Sequence, residues 1–114
     1  PVMPGTNHAA LSCPHVDILA HPGLITEEDA TLARKHNIAL EITARGGHNR
    51  TNGHVARIAE KTGCLMVVDS DAHHPGDLMS GRDREIIAAG AGISSESLKS
   101  LLSTEGNEFF NRFT

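Results

Sequence analysis

Two side chains that could bind a metal follow an apolar run in the segment Val67-Val68-Asp69-Ser70-Asp71-Ala72-His73-His74. Because residues i and i+2 of an extended chain point to the same side, Asp71 and His73 are expected to reach one point beyond the end of a strand. A carboxylate oxygen and an imidazole nitrogen form an ordinary ligand pair for a divalent metal. We therefore predict that Asp71 and His73 are metal ligands. The alternative is that Asp71 caps a helix and that His73 is simply exposed.

A further histidine follows an apolar stretch in Asp17-Ile18-Leu19-Ala20-His21-Pro22-Gly23. Pro22 fixes its own backbone torsion and has no N–H, so it sets the direction in which His21 leaves the strand. We interpret His21 as another candidate metal ligand, against the alternative of a histidine satisfied within the core or a turn. The chain contains eight histidines that are not clustered as a tag would be, which fits metal or proton chemistry.

The glycine-containing loop Arg45-Gly46-Gly47-His48-Asn49-Arg50 is a candidate anion site. Two glycines let a backbone approach a ligand closely, arginine is a natural partner of phosphate, and the N-terminus of a following helix favours negative charge. We predict that Arg45 or His48 contacts a phosphate group. The alternative is a flexible loop with no ligand.

Two carboxylates lie within predicted strands rather than after them. Glu41 stands between Leu40 and Ile42, where it must either be paired or face a site. Asp69 alternates with Asp71 and could orient a metal-binding histidine by a hydrogen bond, without binding the metal itself. We assign both carboxylates to this supporting position, although a buried structural partner is the commoner explanation for Glu41.

The remaining pattern predicts strands that alternate with helices. Strands are predicted at residues 17–20, 38–43 and 65–69, and helices at 27–36, 52–62, 82–89 and from 94 or 95 onward. Phe109, Phe110 and Phe113 have helical spacing that is typical of packing. The alternation predicts an α/β fold with parallel strands and crossover helices, in which the candidate residues gather at one edge of the sheet. We expect residues 1–114 to form a single partial domain, with an irregular lead-in at 1–16 and C-terminal helices at 93–114.

Composition excludes several functional classes. The net charge is −4, there is no Trp or Tyr, and there are only three Phe, so nucleic-acid binding is not expected. No apolar stretch approaches the roughly 20 residues of a transmembrane helix, so no membrane partner is expected either. Cys13 and Cys64 form no CxxC pair and are interpreted as reduced, buried thiols, which favours a cytoplasmic location.

Taken together, these motifs resemble the polymerase and histidinol phosphatase (PHP) family, in its histidinol-phosphatase-like branch. The resemblance covers residues 4–92 and rests on three motifs in the same order: Ile18-Leu19-Ala20-His21-Pro22-Gly23, Leu40-Glu41-Ile42 and Asp69-Ser70-Asp71-Ala72-His73. The resemblance to the histidinol-phosphatase-like branch rests on two further segments, Thr43-Ala44-Arg45-Gly46-Gly47-His48 and Thr51-Asn52-Gly53-His54.

The resemblance implies a distorted (β/α)7 barrel whose bound zinc, manganese or iron, with magnesium as an option, activates water to hydrolyse phosphate esters. It implies that His21, Asp71 and His73 bind metal, with Asp71 and His73 taking part in catalysis. The family's N-terminal His-x-His motif is absent from this sequence.

This departure implies that the chain supplies the last three βα units of such a barrel. We therefore expect it to be inactive alone, and either to associate with a missing N-terminal half or with itself or to be marginally stable. In the complete protein we expect it to act on a phosphorylated small molecule. One alternative is a non-catalytic module that binds an anion or a partner on the same scaffold. An unrelated nucleotide-binding domain is disfavoured, because no GxGxxG or P-loop motif follows any predicted strand.

Overall fold

The computed structural model of this chain describes residues 3–102. Their helices and strands alternate in the predicted manner. The helices are α1 (Thr6–Leu11), α2 (Glu27–Lys35), α3 (Asn52–Thr62), α4 (Gly81–Gly90) and α5 (Ser95–Leu102), and the strands are β1 (Ile18–Leu19), β2 (Ala39–Thr43) and β3 (Met66–Asp69). Short 3-10 turns at Asn49–Thr51 and Pro75–Asp77 follow β2 and β3.

The three strands form one parallel sheet in the order β1-β2-β3. This confirms the prediction of an α/β fold with parallel strands and crossover helices. The part of the chain that the structure describes contributes three strands, and the predicted barrel is not confirmed. The predicted packing stripe of Phe109, Phe110 and Phe113 lies outside the described residues.

Local sequence signals explain where the helices begin and end. The hydroxyl of Thr26 accepts a hydrogen bond from the backbone N–H of Asp29 at 3.1 Å, and three acidic residues occupy the first turn of α2. Gly63 ends α3 in the left-handed conformation, with a φ of 75°. At α4, Ser80 and Asp83 exchange hydrogen bonds between side chain and backbone, so that helix begins one residue before the predicted start.

Central strand β2 organises the core because all five of its residues are buried. Leu40 and Ile42 are inaccessible to solvent and pack with apolar residues of α2, α3 and β3. Residues alternate across a strand, so Glu41 and Thr43 belong to the opposite face. In the register of the sheet, Thr43 lies beside Asp69. The sheet therefore has one apolar face and one face that carries buried polar groups.

Two expectations from the sequence differ from the structure. The predicted irregular lead-in contains helix α1, whose Leu11 is fully buried in the main core. Tertiary burial, and not an amphipathic period, accounts for this short helix. Cys13, predicted to be buried, is exposed, whereas Cys64 is buried as predicted. Among residues 3–102, no helix has both the length and the apolar character needed to span a membrane.

Candidate metal centre

Three potential metal ligands meet at the edge of the sheet where the strands end. His21 follows β1, His48 lies in the loop after β2, and Asp71 follows β3. One ligand atom from each residue can be chosen so that all three atoms lie within 4.8 Å of one another. Parallel strands place their carboxyl ends at a common edge, which is why residues so distant in sequence converge.

The two histidine rings of this group are stacked on each other. Their centroids are 4.1 Å apart and their planes differ by 12°. The Nδ1 atoms of both rings are buried, and neither has a hydrogen-bond partner within residues 3–102. Buried polar atoms are usually paired, because leaving one unpaired costs free energy. A metal ion that accepts their lone pairs would satisfy both atoms, so the residues present fit a bound divalent metal.

The electrostatics of His48 agree with a ligand role. Partial burial and the neighbouring His21 lower the pKa of His48 below its usual range. The ring is therefore more often neutral at neutral pH, and a neutral imidazole is the form that coordinates metals.

Backbone strain coincides with two of the three candidate ligands. His21 and Asp71 have positive φ angles of 28° and 48°, in a region that non-glycine residues rarely adopt. The backbone N–H of His21 donates to Oε1 of Glu41 at 2.7 Å, which holds the strained residue against β2. Glu41, placed in a supporting position by the sequence, thus contacts the backbone of a candidate ligand.

Asp69 lies beside Glu41 rather than beside a histidine. Burial and the hydrogen bond to Glu41, together with charge repulsion from Glu41, raise the pKa of Asp69 to about 8. At neutral pH this carboxyl group therefore tends to keep its proton. Its Oδ1 atom is buried and has no hydrogen-bond partner among the residues described.

Arg45, predicted to bind phosphate, contacts the loop that follows β3. Its guanidinium lies 3.7 Å from an oxygen of Asp71 and 3.6 Å from an oxygen of Asp77, and it donates to the carbonyl oxygen of Asp71 at 3.3 Å. Backbone N–H groups of the same loop, with Arg45, hold the pKa of Asp77 below its usual range. Arg45 therefore connects the glycine-containing loop to the carboxylate of the candidate centre.

His73 lies next to the centre but outside the three-residue group. Its Nδ1 is 2.8 Å from the carbonyl oxygen of Asp71, and its side chain is about half exposed. A carbonyl can only accept, so Nδ1 carries the hydrogen and the lone pair resides on Nε2. Metal ligation by His73, for which Nε2 would be available, stays a prediction.

The sequence did not identify His48 as a potential metal ligand. It follows two glycines in a loop, and no strand-end pattern marks it. Gly47, with a φ of 91°, turns the chain just before His48. The nearest signal in the sequence was the histidine content of a loop already predicted to bind phosphate.

Comparisons with known proteins show a partial, distant similarity to a probable phosphatase. The chain is 39% identical over 112 residues to an uncharacterized protein of Methanocaldococcus jannaschii, and the match covers 98% of this chain and 51% of that protein. It is 38% identical over 69 residues to a probable phosphatase of Shewanella piezotolerans, covering 51% of this chain and 28% of that protein. The chain thus spans about half the length of the first relative and less of the second. No protein-family model and no solved structure matches it.

Proposed function

We propose that this chain forms part of a metal-dependent phosphoesterase of the PHP type, acting on a phosphorylated small molecule. The observation that carries the proposal is the group of His21, His48 and Asp71, with two buried ring nitrogens that have no partner among the described residues. The partial likeness to a probable phosphatase and the order of the motifs support the reaction class.

In this proposal His21, His48 and Asp71 hold a divalent metal, and His73 is close enough to Asp71 to join them. Two nitrogens and one oxygen suit zinc, manganese or iron, while magnesium favours oxygen ligands. When bound, such a metal lowers the pKa of a coordinated water and offsets the charge that builds up on a phosphoryl group.

The surrounding residues position the ligands. Glu41 fixes the backbone of His21, and the Arg45 guanidinium holds the loop that carries Asp71. Arg45 also brings positive charge beside the place where a phosphate would approach. We expect Asp71 and His73 to be essential for turnover in the complete protein.

Three ligands leave coordination positions open but do not supply a cluster of metals. We therefore propose that activity requires further ligands from the rest of the protein, or from a second copy of this chain. The chain alone is expected to bind metal and to be inactive, and the complete protein is expected to act in the cytoplasm.

A metal titration of the purified chain tests this proposal. We expect about one zinc or cobalt ion per chain, measured by elemental analysis after dialysis and by the absorption bands of cobalt. Asp71→Asn and His48→Ala should each weaken binding by more than about tenfold, because each removes one of few ligands. His15→Ala is the matched control, since His15 is an exposed histidine outside the group.

Unchanged affinity in Asp71→Asn and His48→Ala would refute the proposed centre. His73→Ala decides whether a fourth protein ligand participates. Metal binding without phosphoester hydrolysis in the complete protein would favour the non-catalytic, anion-binding alternative.

A further inference from the structure

We propose that the cavity beside the candidate metal centre binds the alcohol part of a phosphate monoester. The alcohol would be compact, largely apolar and equipped with one hydrogen-bond donor. This inference rests on the proposed function, because the cavity and the metal centre share His21 and His48. It deepens that function by naming the chemistry of the leaving group.

The cavity has the size of a small-molecule site. Its volume is about 490 Å³, within the range of pockets that enclose a compact organic ligand. Apolar side chains from the start of the chain and from the loop after β1 form much of its lining: Met3, Pro4, Pro22, Leu24 and Ile25. His21 and His48 complete the lining on the side of the metal centre, so a ligand in this cavity would lie next to the reacting phosphoryl group.

Asn7 supplies a polar atom that needs a donor. Its amide nitrogen donates to the carbonyl oxygen of Pro22 at 2.7 Å, which fixes the orientation of the amide because a carbonyl can only accept. The Oδ1 atom of Asn7 is buried and has no hydrogen-bond partner within residues 3–102. A hydroxyl or amine on a bound alcohol that reached this oxygen would satisfy it, whereas a purely apolar ligand would leave it unpaired.

Leu24 provides apolar surface in the same cavity. Its side chain is 74% exposed although it lines the cavity, and contact with a ligand would remove that surface from water. The charged groups of the cavity favour an anion on the other part of the ligand. Asp29 is already hydrogen-bonded to His8, whereas the guanidinium of Arg50 has no ion pair with any described residue.

Nuclear magnetic resonance titration of the chain with two probes tests this inference. The probes are para-cresol, which has a hydroxyl donor, and its methyl ether, which lacks one. With EDTA present, we expect para-cresol to shift the backbone amide signals of the cavity residues. We expect the methyl ether to bind about threefold to tenfold more weakly, as the loss of one hydrogen bond to a buried acceptor predicts.

Substitutions separate the two parts of the site. Leu24→Ser should weaken both probes, whereas Leu78→Ser should weaken neither. Leu78 is the matched control because it is 70% exposed and does not line the cavity. Asn7→Leu should abolish the preference for para-cresol over its ether.

The outcomes distinguish this inference from the proposed function. Equal binding of the two probes by the unsubstituted chain would overturn the inference, and so would the absence of shifts at concentrations on the order of 10 mM. Either result remains interpretable even if Asn7→Leu fails to fold. The proposed function fails separately, in the metal titration, which requires neither probe.

Discussion

The proton on Asp69 leads to a specific prediction about how stability depends on pH. The pKa of this carboxyl group rises from 3.8 to about 8 in the folded chain, mainly through burial and then through Glu41. The folded state thus holds a proton that the unfolded state releases near pH 4. The stability contributed by this proton is fully present below about pH 4 and is lost as the pH rises to about 8. Replacing the group by Asn, which cannot ionise, should remove this dependence.

The size of the effect follows from the pKa values. Each pH unit between the two pKa values changes the free energy of unfolding by at most about 1.4 kcal/mol. From about pH 5 to about pH 8 the ceiling is about 4 kcal/mol. Asp69 is only partly buried, so solvent screens part of its interaction with Glu41. We therefore expect the unfolding free energy of the original chain to fall by about 2 kcal/mol relative to Asp69→Asn over this range.

Urea unfolding at several pH values, with EDTA present, measures this difference. The other ionisable side chains are the same in both proteins, so the comparison of the two chains isolates Asp69. Parallel stability curves for the original chain and Asp69→Asn would refute the assigned proton. A gap that changes in the opposite direction, with the original chain gaining stability as the pH rises, would mean that Asp69 is ionised in the folded state.

Three further predictions concern buried groups elsewhere in the fold. Asn52→Ala should lower the free energy of unfolding, measured in urea, by about 2–3 kcal/mol. The buried side chain of Asn52 accepts from the N–H of Thr43 at 3.1 Å and donates to its C=O at 2.8 Å. A loss below about 0.5 kcal/mol would contradict this prediction. Arg84→Met should lower the free energy of unfolding by about 2 kcal/mol and speed amide hydrogen exchange in α5, because three guanidinium nitrogens of Arg84 donate to carbonyls of β3 and α5. Unchanged exchange rates in α5 would contradict this prediction. Iodoacetamide at about pH 8 should modify exposed Cys13 well before Cys64, because burial raises the pKa of Cys64 to about 11. Equal alkylation rates of the two cysteines, measured by mass spectrometry, would contradict this prediction.

Local signals were sufficient to predict most of the fold. The Thr26 cap and Gly63 gave correct helix ends, since both act on neighbouring backbone groups. The prediction for α1 was wrong, because this six-residue helix is held by the burial of Leu11 and has no readable period. Strand β1 is shorter than the predicted residues 17–20 and pairs only with β2 among the described strands. The length of a strand depends on the neighbouring strand with which it pairs, and the sequence of the strand itself does not identify that neighbour.

The candidate site was predictable only where strand ends mark it. His21 and Asp71 follow strands, and parallel topology alone brings them to one edge. The position of His48 depends on the path of a glycine-containing loop, which spacing does not define. Asp69 interacts with Glu41 of the neighbouring strand instead of with a histidine, and its place in the sheet, opposite Thr43, depends on the register between β2 and β3. Each missed contact is therefore long-range, whereas each successful prediction was local or followed from topology.

Because His21 and Asp71 have a left-handed backbone, selection for stability and selection for metal binding should favour different residues at these two positions. Asn37 shares a positive φ of 57°, but asparagine tolerates that conformation at the end of a helix. Relative to glycine, histidine loses about 1 kcal/mol there, and aspartate, which adopts this conformation more readily, loses less. A library of variants enriched only for resistance to unfolding should therefore drift toward glycine at residues 21 and 71, whereas one enriched for metal retention should keep the original residues. The two positions at which the outcomes diverge would mark the site without any assay of turnover.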